Sequence, residues 1–134
     1  MTIAHHNREL VRAAFDDWAA GRRSFFDTLA DDATWTIPGS TAGAGEWRGR
    51  QAYVDEVMTP LLERLSTPVV PHVEGIWADA DEVIIRWRQD TPLRAGGSYR
   101  NDYAWFITIQ DDVAVSVTAF LDLAAYAAVI GADA

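Results

Sequence analysis

The stretch that most constrains this chain is Tyr99 to Ile109, YRNDYAWFITI. Aromatic and β-branched residues dominate it, and it holds no Pro or Gly, so it reads as a β-strand. Alternation places Arg100, Asp102, Ala104, Phe106 and Thr108 on one face. Tyr99, Asn101, Tyr103, Trp105, Ile107 and Ile109 fall on the other. The second face is bulky and largely apolar and must be covered. The first carries an Arg and an Asp two apart in mid-strand, which is costly unless that face opens onto water or a cavity. The expectation is that Arg100 and Asp102 look into a cavity and that the rest of the chain forms its wall.

The chain has 134 residues, which fits one domain over 1–134. A chain of this size buries roughly two-thirds of its unfolded surface and needs no covalent staples. The absence of cysteine excludes disulfides, thiolate catalysis and Cys-based zinc sites. No set of His, Asp and Glu has metal-ligand spacing, so neither a metal nor another cofactor is expected. The net charge of −9, from 11 basic and 20 acidic residues, repels phosphate backbones and argues against a nucleic-acid partner. The segment MTIAHHNREL lacks an apolar signal core, and no apolar run approaches the ~20 residues of a membrane span. A soluble, cytoplasmic protein is the expectation. Six Trp, four Tyr and five Phe suit a wide core or an aromatic-lined pocket.

In chain order, Leu10, Val11, Ala14, Phe15 and Trp18 make one apolar stripe, predicting a helix over 6–20 with Asn7 as cap and Gly21 as stop. A short helix opens at Ser24, and Ala33 to Ile37 make a short strand ended by Pro38-Gly39. The Gly-rich segment 39–50 reads as a loop in which Trp47 is either a lid over a pocket or a plug into the core. A third helix spans Gln51 to Leu65, kinked or split at Thr59 by Pro60. The period then changes to alternation. Strands follow at Val73–Trp77, Val83–Gln89, Tyr99–Ile109 and Val113–Leu121, with a tail helix at Leu123–Ile130. Helices first and strands later is an α+β pattern, with the helices on one face of a curled antiparallel sheet.

This order carries local motifs: AAG at Ala19–Gly21, LADDATWTIPG at Leu29–Gly39, WRGRQAYVDEV at Trp47–Val57, YRNDYAWF at Tyr99–Phe106 and AFLD at Ala119–Asp122. Together they resemble the SnoaL-like / NTF2-like superfamily, which includes ketosteroid isomerases, limonene-epoxide hydrolase and polyketide cyclases. The resemblance implies a conical barrel of the NTF2-like, cystatin-like kind: N-terminal helices packed in a strongly curved antiparallel sheet, with a deep pocket at the open end. It also implies a homodimer through the outer sheet face, where Tyr103 and Trp105 are expected.

Function follows from the resemblance one residue at a time. The base of ketosteroid isomerase falls on Ile37, its helix tyrosine near Ala14 and its second oxyanion donor on Asp102. The Arg-x-Asp pair of limonene-epoxide hydrolase matches Arg100 and Asp102, while its last-strand acid falls near Ala119. Polyketide cyclases use an acid/base Asp without metal, a role the resemblance leaves open to Asp102 helped by His72. The expectation is a cofactor-independent enzyme acting on a small hydrophobic molecule by acid/base chemistry, with Asp102 and Arg100 as catalytic residues. Trp18, Trp35, Trp87, Phe106, Ala119 and Leu121 are expected to bind the substrate. The alternatives are a non-catalytic ligand-binding or dimerisation module, and a domain whose cone is simply filled.

Overall fold

The computed structural model describes residues 2–131. The first helix, α1, runs Ile3–Ala19. It starts earlier than the stripe suggests because Thr2, not Asn7, caps it: the His5 N–H donates to Thr2 Oγ1 at 3.1 Å. Asn7 is buried, and its amide donates to the Ala80 carbonyl at 3.5 Å. A single 3₁₀ turn at Phe25–Thr28, capped by Ser24, leads into strand β1, Leu29–Ile37. The Gly-rich segment is part strand: β2, Gly45–Arg48, pairs antiparallel to β1 and matches Trp47 to Trp35.

Helix α2 (Arg50–Tyr53), a π-helical turn (Val54–Met58) and helix α3 (Thr59–Arg64) follow as one continuous run. Pro60 sits in the first turn of α3, where the missing N–H is tolerated. Then come β3 (His72–Asp79), β4 (Glu82–Pro92), β5 (Ser98–Gln110), β6 (Val113–Leu121) and helix α4 (Leu123–Ile130).

The six strands form one open, curved sheet in the order β2-β1-β6-β5-β4-β3. Every pairing is antiparallel except β1 with β6, which is parallel. That parallel pair departs from the all-antiparallel expectation, and it joins segments about eighty residues apart. The longest pairing, β4 with β5, runs in register from Glu82 opposite Thr108 to Pro92 opposite Ser98.

The helices pack into one concave face. That face takes Val83, Ile85, Trp87, Gln89 and Thr91 from β4 and Tyr99, Asn101, Tyr103, Trp105, Ile107 and Ile109 from β5, all buried. The two faces of β5 are therefore the reverse of the expectation. Arg100 and Asp102 are exposed on the convex side, and Tyr103 and Trp105 are inside, which removes them from any outer interface. The physical reason is that only one side of this sheet is covered. Six bulky side chains claim the covered side, and the charges take the side that meets water.

Trp105 holds the centre of the core. Its ring meets Trp35 and Trp87 at 4.9 Å each, nearly perpendicular to both at 85° and 82°. Phe15 of α1 approaches it at 5.7 Å and Phe25 at 5.2 Å. One side chain thus ties α1, the 3₁₀ turn, β1, β4 and β5 together. Trp105→Ala is expected to cost about 3–5 kcal/mol, the range for truncating a buried Trp or Phe. Urea denaturation measures this, and a loss below about 1 kcal/mol contradicts the assignment of Trp105 as the keystone.

Candidate functional site

The concave face closes around a small cavity. Its walls are rings from three strands and three helical segments: Trp35 from β1, Trp87 from β4, Trp105 and Tyr103 from β5, Trp18 from α1, Phe26 from the 3₁₀ turn and Tyr53 from α2. Trp35 stacks on Tyr53 at 4.1 Å and 19°, and Trp87 stacks on Tyr103 at 4.1 Å and 8°. Ala119 and Leu121 of β6 and Tyr126 of α4 complete one side. The space open to the centre of a water-sized sphere is about 30 Å³. Room for one water needs roughly 10–15 Å³, and drug-sized ligands occupy roughly 300–1,000 Å³. As closed, the cone suits a molecule of a few non-hydrogen atoms.

Of the residues expected to bind a substrate, Trp18, Trp35, Trp87, Ala119 and Leu121 lie in this lining. Phe106 does not: it shares the outward face of β5 and packs edge to face on Phe120 at 5.7 Å. Trp47 is half-buried on β2, its ring 6.0 Å from Tyr53, outside the lining.

Arg100 and Asp102 lie outside the cone. Arg100 Nε reaches Asp90 Oδ2 at 3.0 Å across the β4–β5 ladder. Asp102 stands opposite Arg88, whose Nε donates to Glu74 Oε1 at 2.7 Å. Among the described residues no ion pair joins Arg100 to Asp102. Arg88, Asp90, Arg100 and Asp102 border an open depression on the convex side, with Asp122. His72 is exposed at the start of β3.

The lining contains no Asp, Glu, His, Lys or Arg. Ile37 and Ala119, onto which the resemblance maps the acids of the isomerase and the hydrolase, both face it. Its polarity comes from neutral groups that the pattern of alternation concealed. Gln89 Nε2 donates to Tyr103 Oη at 2.9 Å, and Thr91 Oγ1 donates to Gln89 Oε1 at 2.8 Å. Tyr99 and Tyr103 share a phenol–phenol bond of 2.8 Å, and Asn101 Nδ2 donates to Tyr99 Oη at 2.7 Å. The signal was present in the sequence: Gln89, Thr91 and Asn101 sit at inward positions of otherwise apolar strand faces. Among the described residues the indole N–H groups of Trp35 and Trp87 are buried without a hydrogen-bond partner.

All four tyrosines of the chain converge here. Burial pushes the Tyr99 phenol up to about 12, and the hydrogen bond from Asn101 opposes that rise. Burial also holds Tyr53 and Tyr103 well above the ordinary value of 10.0, and raises Tyr126. Neutral phenols thus persist throughout the physiological range.

Among the described residues no helix is long and apolar enough to cross a membrane, and no group of His, Asp and Glu is placed to hold a metal ion.

Residues 11–117 match a family described as the SnoaL-like domain. No curated protein is similar enough to the chain to match it. Solved structures share the fold at low identity. Bal32a, from a soil-derived mobile gene cassette, is 18% identical with a TM-score of 0.77, over 96% of this chain and 98% of its own. A protein of Jannaschia sp. CCS1, assigned as a SnoaL-like polyketide cyclase, is 18% identical with a TM-score of 0.74, over 98% and 96%. A protein of Kribbella flavida, assigned as a ketosteroid isomerase, is 20% identical with a TM-score of 0.63, over 91% and 82%.

The raised phenol values fix the sign of an alkaline effect. Folding helps these groups keep their protons, so their contribution is full below the unfolded value of about 10 and is lost as pH climbs through the raised ones. The expected result is little phenolate absorbance from folded protein at pH 10.0, near half-ionisation once it is unfolded in guanidinium, and a melting temperature that falls between pH 10 and about 12. Tyrosines that all titrate near 10 in the folded chain contradict the buried network.

Proposed function

The chain belongs to the SnoaL-like domain family, and from that premise we propose that it binds a small, neutral, mostly apolar molecule inside the aromatic cone. The observation that carries this reading is the lining itself: stacked Trp and Tyr rings around a small space, with no Asp, Glu, His, Lys or Arg. Six or more ring faces and edges favour a compact apolar ligand. Proton transfer by the Arg100–Asp102 pair requires substrate on the convex face, away from those rings. The reading is therefore ligand binding, the alternative that the sequence left open, rather than carboxylate acid/base catalysis.

The convex face is proposed to meet a second copy of the chain. Phe120 is 46% exposed there with Phe106 against it. Arg86, Arg88 and Arg100 alternate with Glu74, Asp90 and Asp102 around the pair. A patch that carries both signs around an apolar centre can complement itself across a two-fold axis. Light scattering after gel filtration is expected to show twice 14.8 kDa, and Phe120→Glu to shift the mass to that of one chain. A monomeric parent protein contradicts the interface.

Binding in the cone is tested by NMR titration with cyclopentanone, following the indole N–H signals. Saturable shifts at Trp35, Trp87 and Trp105 are expected, unchanged within about twofold in Asp102→Asn and Arg100→Ala because exposed ion pairs contribute little. Ala119→Leu, which fills the cavity, is expected to abolish them. Loss of the shifts in Asp102→Asn, or their survival in Ala119→Leu, overturns the reading.

A further inference from the structure

The polar end of the cone is fixed by the backbone of Asp122. Its N–H donates to Asn101 Oδ1 at 2.9 Å, and its carbonyl accepts from Asn101 Nδ2 at 3.0 Å. A backbone N–H only donates and a carbonyl only accepts, so this pair decides which end of the Asn101 amide is nitrogen. The second hydrogen of that nitrogen lies on Tyr99 Oη at 2.7 Å. Tyr99 therefore accepts from Asn101. Its other partner is Tyr103 Oη at 2.8 Å, and Tyr103 also accepts from Gln89 Nε2 at 2.9 Å.

Two phenols own two protons, and one bond joins them, so one proton is left over. Were Tyr103 to donate to Tyr99, the spare proton would sit on Tyr99, which is 1% exposed and outside the cavity lining. When Tyr99 donates to Tyr103, the spare proton sits on Tyr103, which lines the cavity. A buried donor with nothing to meet is the costlier arrangement. The amide lock on Asn101 thus polarises the chain Asn101, Tyr99, Tyr103 toward the cavity. The unpartnered indole N–H groups of Trp35 and Trp87, each at least 98% buried, are an independent sign of the same bias. Among the described residues these two donors have no partner.

We propose that the cone selects its ligand by an acceptor oxygen, the carbonyl or ether oxygen of a small neutral molecule, which takes a hydrogen bond from the Tyr103 hydroxyl. Asn101 is the positioning residue that turns that proton inward. The inference rests on the reading of the cone as a ligand site and names the ligand class for it. Molecules whose only polar groups are donors leave the Tyr103 proton without a partner.

The test uses cyclopentanone and methylenecyclopentane, the same shape with and without the oxygen, titrated against the indole N–H signals. Their intrinsic affinities differ because water holds the ketone more strongly. The informative quantity is therefore the ketone-to-alkene affinity ratio, compared between proteins. Tyr103→Phe is expected to lower the ratio about 3–10-fold, the worth of one hydrogen bond. Asn101→Asp, which cannot donate to Tyr99, is expected to lower it similarly while leaving the alkene affinity within about twofold; that alkene signal also reports that the cone is intact. The carbonyl stretch of the bound ketone should move toward its unbonded frequency in both variants. A ratio unchanged in Tyr103→Phe overturns the acceptor assignment while the cone remains a ligand site. A ratio lowered in Tyr103→Phe but not in Asn101→Asp overturns the role of Asn101. If neither molecule shifts the indole signals of the parent protein, the cone reading itself fails and takes this inference with it.

Discussion

The perpendicular contact of Trp105 with Trp35 and Trp87 is the interaction on which the rest of the molecule depends. The two outer indoles come from β1 and β4, which never pair with each other; only β5 and β6 lie between them in the sheet. Their rings, 4.9 Å from Trp105 on either side, set the curvature with which the sheet wraps the helices. Each outer indole is then backed by a tyrosine, Tyr53 or Tyr103, at stacking distance. Rings packed edge to face and face to face cannot also fill the angles between them. The small cavity is the remainder, and its aromatic character follows from the same contacts that stabilise the fold.

A sheet covered on one side has a strict economy of polar groups. Charges that would be costly within the cone line the convex face in cross-strand order, with Arg100 on Asp90 and Arg88 on Glu74. Inside, every polar group is neutral, and most are spent on one another in the run from Thr91 through Gln89, Tyr103 and Tyr99 to Asn101. Such a buried network strengthens within a low dielectric when each member is satisfied. It ends in the backbone of Asp122, whose side chain caps α4 by accepting from Ala124 and Ala125 N–H. The helix that closes the cone and the hydrogen bonds that polarise it are anchored at one residue.

Much of this was readable from the residues. The helical stripe through Val11 and Phe15, the alternating strands and the helices-then-strands order lead to the curved α+β sheet. Five of the six residues expected around the pocket line the cavity: Trp18, Trp35, Trp87, Ala119 and Leu121. The error on Phe106 and the error on Arg100 and Asp102 are one error. Period-two alternation divides β5 into two faces without saying which is covered, and the mid-strand charge pair was weighed more heavily than the six bulky residues opposite it. Bulk decides, because burying that face releases far more apolar area than a cavity can recover for two charges. Strand β2 and the parallel pairing of β1 with β6 were hidden for a different reason. They depend on contacts between distant segments, and four residues around Trp47 carry too little periodicity to stand out from a Gly-rich loop. The polar network was hidden because Gln89 and Asn101 look like interruptions of an apolar face until their partners are known.

The central claim is that ligands of this protein enter the aromatic cone and not the charged convex face. A crystal structure of the protein soaked with cyclopentanone tests it most directly. The account predicts density among Trp35, Trp87 and Trp105 with the ketone oxygen within hydrogen-bond distance of Tyr103. Density only against Arg100 and Asp102, with the cone unchanged at saturating ketone, would contradict it.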